Sequence, residues 1–183
     1  MNWKIGKITD ISEEEYSKIY LSLSNSRKSH IDKMQKEEAK KSSLLATHLV
    51  NQLLEKSNIK NVLLQTDADR KPYLENSDLF VSISHSGEFA ACAIDDKPIG
   101  IDIEKIKPVS DKLINFVCNE DEKEYVFENE FSDEEKFNRF FEIWTAKEAV
   151  FKKSKVQHNL CSTKVMNVDK QTFIIDGYYM TIV

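Results

Sequence analysis

Residues 99–104 read Ile-Gly-Ile-Asp-Ile-Glu, and residues 144–152 read Trp-Thr-Ala-Lys-Glu-Ala-Val-Phe-Lys. In the first stretch, isoleucines alternate with Gly100, Asp102 and Glu104, which is the period of a β-strand with one apolar and one polar face. Asp102 and Glu104 are therefore predicted to point to the same side. An Asp-x-Glu pair of this kind is also common where a strand simply faces water, so its meaning depends on the second stretch.

The second stretch belongs to a helix predicted near 133–153. Its apolar residues recur at helical spacing, and they are Phe137, Phe140, Phe141, Trp144 and Phe151. Glu148 falls within this stripe, where an ionised carboxylate loses hydration unless a cation or strong donors meet it. Two partners fit the sequence. One is Lys152, one turn later in an ordinary i,i+4 pair, and the other is a metal ion shared with Asp102 and Glu104.

The three carboxylates of Asp102, Glu104 and Glu148 form a candidate metal site. Oxygen-only ligands, few in number, suit magnesium better than zinc or a closed calcium site. Lys147 and Lys152 are placed to meet the phosphates that such a cation attracts. The combination predicts phosphate-linked chemistry.

Together the two stretches resemble the signature of the Sfp-type 4′-phosphopantetheinyl transferases. That pattern is Gly-x-Asp-x-Glu and, about 40 residues on, an aromatic residue, a small residue, x, Lys-Glu and a Lys four residues later. Arg-Lys-Pro-Tyr at 70–73 and Ile-Ser-His-Ser-Gly at 83–87 follow the family order upstream, so the resemblance covers roughly residues 27–152. The glycine that usually precedes the Lys-Pro pair is Arg70 here.

The resemblance implies a set of site residues. Asp102, Glu104 and Glu148 would bind Mg²⁺, which holds the pyrophosphate of coenzyme A, and Glu148 and Lys152 would be catalytic. The residues implied to bind coenzyme A are Lys28, Lys41, Lys71, Ser84, His85, Lys147 and Lys152, with Arg27 as a further basic candidate. Taken singly, His85 is typical of a strand end and Lys71 of a turn before proline.

The resemblance also implies the reaction, in which a serine of an apo acyl or peptidyl carrier protein attacks coenzyme A and adenosine 3′,5′-bisphosphate leaves. Glu148 is the candidate base, directly or through a water, with Glu120 or Glu122 as neighbouring acids that share the role. Two other functions remain open. One is a magnesium-dependent nucleotide phosphoesterase, and the other is a non-catalytic module that binds coenzyme A or a carrier protein.

Composition limits the partners. The chain has 183 residues, 40% hydrophobic content and a net charge of −5, which argues against general nucleic-acid binding. Neither a leader pattern nor a membrane-length apolar run is seen, so a cytoplasmic protein without a membrane partner is expected. Because carrier proteins are acidic, docking requires a local basic patch, for which 27–41 is the candidate. A chain with both halves is expected to act as a monomer.

The order of elements predicts an α+β fold. Predicted helices run from Ser12, from about 32 to 56 with a seam of leucines, from 110 to 128 and from 133 to 153. Predicted strands lie near 79–84, 89–95, 99–104, 162–168, 172–176 and 178–183, with a hairpin at Asp176-Gly177. The family resemblance implies two pseudo-symmetric halves, 1–95 and 96–183, each a small antiparallel sheet packed on a long helix, with coenzyme A between them.

Overall fold

The protein is seen in a computed structural model that describes residues 1–128, 132–154 and 160–183. The chain divides into two compact units, Met1–Ile99 and Gly100–Val183. Each unit contains a three-stranded antiparallel sheet and one long helix that packs against it. The architecture is therefore α+β with small antiparallel sheets, as the sequence predicts.

The sheet of the first unit is built around its central strand, β5 (Phe89–Asp95). β5 lies between β1 (Asn2–Lys7) and β4 (Phe80–Ser86), and both pairings are antiparallel. All of β5 except its last residue is buried. Strand β1 is not predicted from the sequence, because its polar residues give it no apolar run.

The long helix of the first unit is α3 (Glu37–Lys56), which packs on β1, β4 and β5. Its predicted seam of Leu45, Leu49 and Leu53 is buried in the core of the unit, which confirms that prediction. The helix begins later than predicted because the chain is extended at Lys36.

Two shorter helices precede α3. The first, α1 (Glu13–Ser22), begins where predicted, with a capping box: Ser12 accepts from the Glu15 amide, and the Glu15 carboxylate accepts from the Ser12 amide at 2.9 Å. The second, α2 (Asn25–Asp32), is capped by Ser24. Because of this cap, the chain after α1 forms a separate helix, which the apolar pattern alone does not predict.

A two-stranded hairpin joins β2 (Leu63–Thr66) to β3 (Pro72–Glu75). Asp67 and Lys71 close its turn, since the Lys71 amide donates to the Asp67 carboxylate at 2.7 Å and the Asp67 amide donates to the Lys71 carbonyl at 3.0 Å. Arg70 lies in this turn with a φ of 64°, in the left-handed region that glycine adopts with least strain. This backbone conformation explains why the family pattern has glycine at this position.

The second unit contains β6 (Ile101–Lys105), β7 (Gln171–Ile175) and β8 (Tyr178–Ile182), with β8 in the centre. The turn between β7 and β8 has φ values of 49° at Asp176 and 77° at Gly177. Two successive positive φ values are typical of the tight hairpin turn that the Asp-Gly pair predicts, and the hairpin is confirmed.

Two sequence predictions in the second unit are wrong. The helix predicted at 110–128 is two helices, α4 (Asp111–Val117) and α5 (Glu120–Val126), because Asn119 starts a new capping box with Glu122. The strand predicted at 162–168 is not formed. A short 3₁₀ helix at Leu160–Ser162 is followed by irregular chain whose backbone groups bond to buried side chains of α5 and α6.

The long helix of the second unit is α6 (Asp133–Lys153), which packs on β6 and β8. Ser132 and Glu135 form a capping box at its start, and the helix bounds agree with those predicted. None of the helices in the described ranges is long and apolar enough to cross a membrane.

Gly100 allows β6 to approach α6 closely. A Cβ atom at this position would lie 1.8 Å from the carbonyl oxygen of Ala149 and 3.0 Å from the amide nitrogen of Lys153, both on the backbone of α6. Gly100 also exchanges two backbone hydrogen bonds with Val183, of 3.1 and 2.9 Å. The strand and the helix therefore approach at a distance that no side chain at this position permits.

We predict that Gly100→Ala destabilises the protein because the added methyl group meets a helix backbone that cannot move aside. Overpacking of this kind costs about 3 kcal/mol, which corresponds to a fall in Tm of roughly 6–12 °C for a chain of this size. Gly6→Ala is the matched control, since a Cβ at Gly6 meets only leucine side-chain tips at 3.4 Å. Thermal unfolding measures both, and equal Tm values for the two variants would contradict the prediction.

Candidate functional site

Strand β6 presents Asp102 and Glu104 on one face. Asp102 is only 3% exposed, whereas Glu104 is half-buried. Asp102 pairs in register with Thr181 of β8, and directly opposed residues share a face of the sheet. The Thr181 hydroxyl lies 2.7 Å from the hydroxyl of Thr145 in α6. The face that carries Asp102 is therefore the face on which α6 packs.

Lys152, near the end of α6, forms an ion pair with Asp102. Its ammonium nitrogen lies 2.7 Å from Asp102 Oδ1 and also donates to the carbonyl oxygen of Ile101 at 3.2 Å. The Lys152 side chain is 27% exposed, so the pair lies at the edge of the interior. The sequence allows Lys152 to pair with Glu148, but in the structure Lys152 forms its ion pair with Asp102.

Glu148 is half-buried on α6. Burial is the main cause that raises its pKa above the usual value, and the negative charges of Asp102 and Glu104 raise it further, whereas the ammonium of Lys152 lowers it. The three carboxylates therefore act on one another electrostatically, although they come from a strand and a separate helix.

The donors of this carboxylate group suit a hard divalent cation, because all of them are oxygens. As the side chains stand, the described ranges contain no set of three acidic, histidine or cysteine groups gathered closely enough to hold a metal ion. The cation that Asp102 meets is the ammonium of Lys152. The three carboxylates thus suit magnesium in charge and ligand type. Their side chains, as they stand, are too far apart to bind one ion together.

Lys147 does not lie where the sequence prediction needs it. It is fully buried, its ammonium forms an ion pair of 2.9 Å with Glu122, and it donates to the carbonyl oxygen of Thr163 at 2.5 Å. A lysine held in this way has its charge compensated inside the second unit. The prediction that Lys147 meets a phosphate of coenzyme A is therefore corrected.

Glu122 is likewise removed as a candidate base. Its side chain is fully buried, with the carboxylate paired to Lys147 and accepting the Asn119 amide at 2.9 Å. A carboxylate that is fully buried and held by these partners does not reach a substrate. Glu120 is exposed and pairs with Lys123 at 2.7 Å.

The burial of Lys147 has a signal in the sequence. Phe140, Ile143 and Lys147 follow one another at helical spacing, and all three are buried. The apolar stripe predicted from the sequence uses only the aromatic residues and leaves Ile143 out, so Glu148 falls within it. Including Ile143 identifies a second buried face of α6, which packs against α5 and the turn at 160–162.

The other predicted residues lie in the first unit. Ser84 and His85 are near the end of β4, where Ser84 is buried and His85 is exposed. Lys71 is exposed in the turn before β3. Lys28 donates to the carbonyl oxygen of Leu21 at 3.1 Å.

Lys41 is also engaged within the first unit. It forms an ion pair with Glu13, and its ammonium lies 5.6 Å from the centre of the Tyr16 ring. The charge of Lys41 is therefore already compensated by a carboxylate within the first unit.

A basic cluster surrounds His30 in the first unit. Burial is the main cause that lowers the pKa of His30, and the positive charges of Arg27, Arg70, His85 and Lys33 lower it further. The sequence identifies four of these five as basic candidates or parts of motifs, but it does not single out His30. The cluster is suited to an anion with several negative charges.

Arg27 is the buried member of the basic cluster, with 4% exposure. Its guanidinium donates to the hydroxyls of Thr66, Ser43 and Thr47, at 2.9, 3.1 and 3.0 Å. Burial lowers its pKa to about 10. Its hydrogen-bond acceptors in the described part of the chain are all uncharged, so its positive charge remains available to a ligand.

Residues 98–176 match the 4′-phosphopantetheinyl transferase superfamily. The chain is 30% identical over 155 residues to 4′-phosphopantetheinyl transferase Sfp of Bacillus subtilis (strain 168), covering 78% of this chain and 64% of that protein. It is 34% identical over 113 residues to 4′-phosphopantetheinyl transferase gsp of Aneurinibacillus migulanus, covering 60% of this chain and 46% of the relative. A third relative, 4′-phosphopantetheinyl transferase psf-1 of Bacillus pumilus, is 29% identical over 110 residues with the same coverage.

The chain thus spans 46–64% of the length of these relatives. The range that matches the superfamily contains Asp102, Glu104, Glu148 and Lys152. Residues 98–176 of this chain are therefore similar to the 4′-phosphopantetheinyl transferase superfamily, and the predicted resemblance to its Sfp-type members is confirmed.

Proposed function

We propose that this chain transfers the 4′-phosphopantetheine arm of coenzyme A to a serine of an apo acyl or peptidyl carrier protein, releasing adenosine 3′,5′-bisphosphate. The observation that carries the proposal is the grouping of Asp102, Glu148 and Lys152 on facing elements, inside the range that matches the superfamily. The relatives with their printed names support the reaction. Because the chain spans only part of their length, its substrates and partners belong to this proposal.

Asp102, Glu104 and Glu148 would hold a magnesium ion. Their oxygen donors suit it, and the rise that Asp102 and Glu104 cause in the pKa of Glu148 reflects a repulsion that a cation relieves. When bound, Mg²⁺ neutralises charge on the pyrophosphate of coenzyme A. Lys152 lies at the edge of the same group and supplies a further positive charge.

The transfer forms one bond to phosphorus and breaks another. The serine oxygen of the carrier bonds to the β-phosphorus of coenzyme A, and the bond from that phosphorus to the bridging oxygen of the α-phosphate breaks. Adenosine 3′,5′-bisphosphate leaves with the bridging oxygen. Glu148 takes the proton of the serine hydroxyl, and Lys152 offsets the charge that gathers on the leaving phosphate.

The basic cluster around His30 would bind the phosphates at the adenosine end of coenzyme A. Arg27 supports this role because it is buried against hydroxyl groups, and a buried cation is favourable only when an anion compensates it. Ser84 and Lys71 lie next to cluster members in the chain, at His85 and Arg70, and complete the proposed phosphate contacts.

Lys28 and Lys41 stay in the proposal as residues that exchange partners. Each already has an acceptor within the first unit, a carbonyl oxygen for Lys28 and the Glu13 carboxylate for Lys41. An exposed ion pair of this kind contributes only about 0–1 kcal/mol, so a phosphate competes with Glu13 at little cost. Lys147 has no place in this set.

In this proposal the chain acts as a cytoplasmic monomer, with halves 1–95 and 96–183 and the metal-binding and catalytic residues in the second half. Coenzyme A and the carrier protein are the partners, and neither nucleic acid nor membrane is required. The net charge of −5 supports the exclusion of general nucleic-acid binding.

The test is to incubate the protein with coenzyme A, Mg²⁺ and an apo-carrier and to measure the intact mass of the carrier. Transfer adds one phosphopantetheine to the carrier, and removal of Mg²⁺ with a chelator stops the addition. A phosphoesterase would consume coenzyme A with no carrier present. A binding module would retain coenzyme A and the carrier unchanged, and either result would contradict the proposed function.

We predict that Glu148→Gln lowers kcat by at least about 100-fold, because the amide neither accepts the serine proton nor carries the charge that a cation requires. The rate of carrier loading measures the loss. Glu134→Gln is the control, since Glu134 is an exposed acid in the first turn of the same helix. Near wild-type turnover in Glu148→Gln would remove Glu148 from the mechanism.

We predict that Lys152→Ala lowers kcat by about 100-fold while the Kd for coenzyme A rises much less, because its charge acts on the leaving phosphate. Rate measurements give kcat, and calorimetry with coenzyme A gives the Kd. The exposed neighbour Lys153 provides the control Lys153→Ala. If Kd and kcat changed by the same factor, Lys152 would be a binding residue and not a catalytic one.

A further inference from the structure

The buried pair of Lys147 and Glu122 lies directly beside the catalytic group in the chain. Both side chains are fully buried, and their charged atoms are 2.9 Å apart. Lys147 immediately precedes Glu148 on α6, whereas Glu122 belongs to α5. The pair therefore joins the helix that carries Glu148 to a second helix of the same unit.

The pair also fixes the irregular chain after α6. Lys147 donates to the carbonyl oxygens of Thr163 and Cys161, at 2.5 and 3.4 Å. The two oxygens of the Glu122 carboxylate accept the amides of Asn119 and Val165, at 2.9 and 3.3 Å. Backbone groups at the start of α5 and in the 161–165 segment thus form hydrogen bonds with the same ion pair.

A buried ion pair is a costly way to obtain stability. Removing two charges from water costs free energy that their attraction only partly returns, and apolar side chains of similar size are often at least as stable. The pair instead fixes an orientation, because it has one favourable arrangement with its backbone partners. An arrangement of this kind fixes the rotation of α6 about its axis.

The opposite side of α6 has a matching contact. Thr145 and Thr181 bring their hydroxyls to 2.7 Å, and both side chains are fully buried. Thr181 is the register partner of Asp102. The helix is therefore held on two sides, at Thr145, three residues before Glu148, and at Lys147, one residue before it.

We propose that Lys147 and Glu122 are a positioning pair, which acts through α6 to hold Glu148 toward Asp102 and touches neither coenzyme A nor the metal ion. The inference rests on the proposed function. It assigns Lys147 a role that differs from that of a phosphate ligand, because loss of a phosphate ligand weakens coenzyme A binding and loss of a positioning residue slows the reaction.

The test is the double variant Lys147→Met/Glu122→Gln. It removes both charges together, so no buried charge is left without its partner, and glutamine keeps an acceptor oxygen for the Asn119 amide. The variant is compared with wild type by the kcat of carrier loading, by the Kd for coenzyme A from calorimetry and by Tm. The control is Lys18→Met/Glu14→Gln, the same chemical change at an exposed pair of 2.7 Å in the first unit.

We expect kcat to fall by about 10- to 100-fold in the double variant, because small misplacements of reacting groups have effects of this size. The Kd for coenzyme A should change by less than about threefold, and the control should match wild type in both quantities. A 10-fold or larger rise in Kd would show a phosphate ligand. An unchanged kcat in folded protein would show a purely stabilising pair, and either result overturns the proposal.

The single variant Glu122→Gln serves if the double variant does not fold. It keeps the shape of the side chain, and the same split between kcat and Kd is expected. If the wild-type chain loads no carrier, the proposed function fails and the positioning pair falls with it. If wild type loads carrier and both variants keep full kcat, only the positioning pair is contradicted.

Discussion

The close approach of β6 to α6 is the constraint on which the rest of the second unit depends. Because Gly100 has no side chain, the strand lies against the helix backbone at Ala149. Asp102, two residues along the strand, then comes within 2.7 Å of Lys152 on the helix. A wider separation would leave Asp102 buried without its cation, which is strongly destabilising.

Two ammonium–carboxylate pairs in the described part of the second unit differ in their exposure to solvent. The pair of Lys147 and Glu122 is closed to solvent and is satisfied by backbone groups on every side. The pair of Lys152 and Asp102 is partly open, since Lys152 retains 27% of its exposure. A closed pair suits a fixed scaffold, whereas an open pair can exchange its partner for a phosphate or a metal ion. The two lysines of one motif, Lys147 and Lys152, thus differ in their exposure to solvent.

Much of the site follows from local sequence patterns. The strand period at 99–104 predicts that Asp102 and Glu104 share a face, and the helical spacing of the apolar residues predicts α6. These features are local, so nearby residues determine them. The partner of Lys147 is not local, because Glu122 lies on another helix and its position depends on the break at Asn119.

Other elements that the sequence does not predict also lack a strong local pattern. Strand β1 has many polar residues, and its pairing with the distant strand β5 stabilises it. Strands β2 and β3 have only four residues each, too few for a clear period. The segment at 162–168 has the composition of a strand, but its backbone groups form hydrogen bonds with the buried side chains of Lys147 and Glu122 and not with another strand. In the first unit, the charges around His30 gather from α2, a turn and β4, which no single motif reveals.

A double-mutant cycle on Mg²⁺ affinity, with Asp102→Asn, Glu148→Gln and both together, tests by calorimetry whether the two carboxylates share one cation. If strand and helix bring the two carboxylates to one cation, the losses are coupled, and the double variant departs from their sum by about 0.5–3 kcal/mol. Losses that add within about 0.5 kcal/mol would mean that the two residues act independently and do not share a metal site.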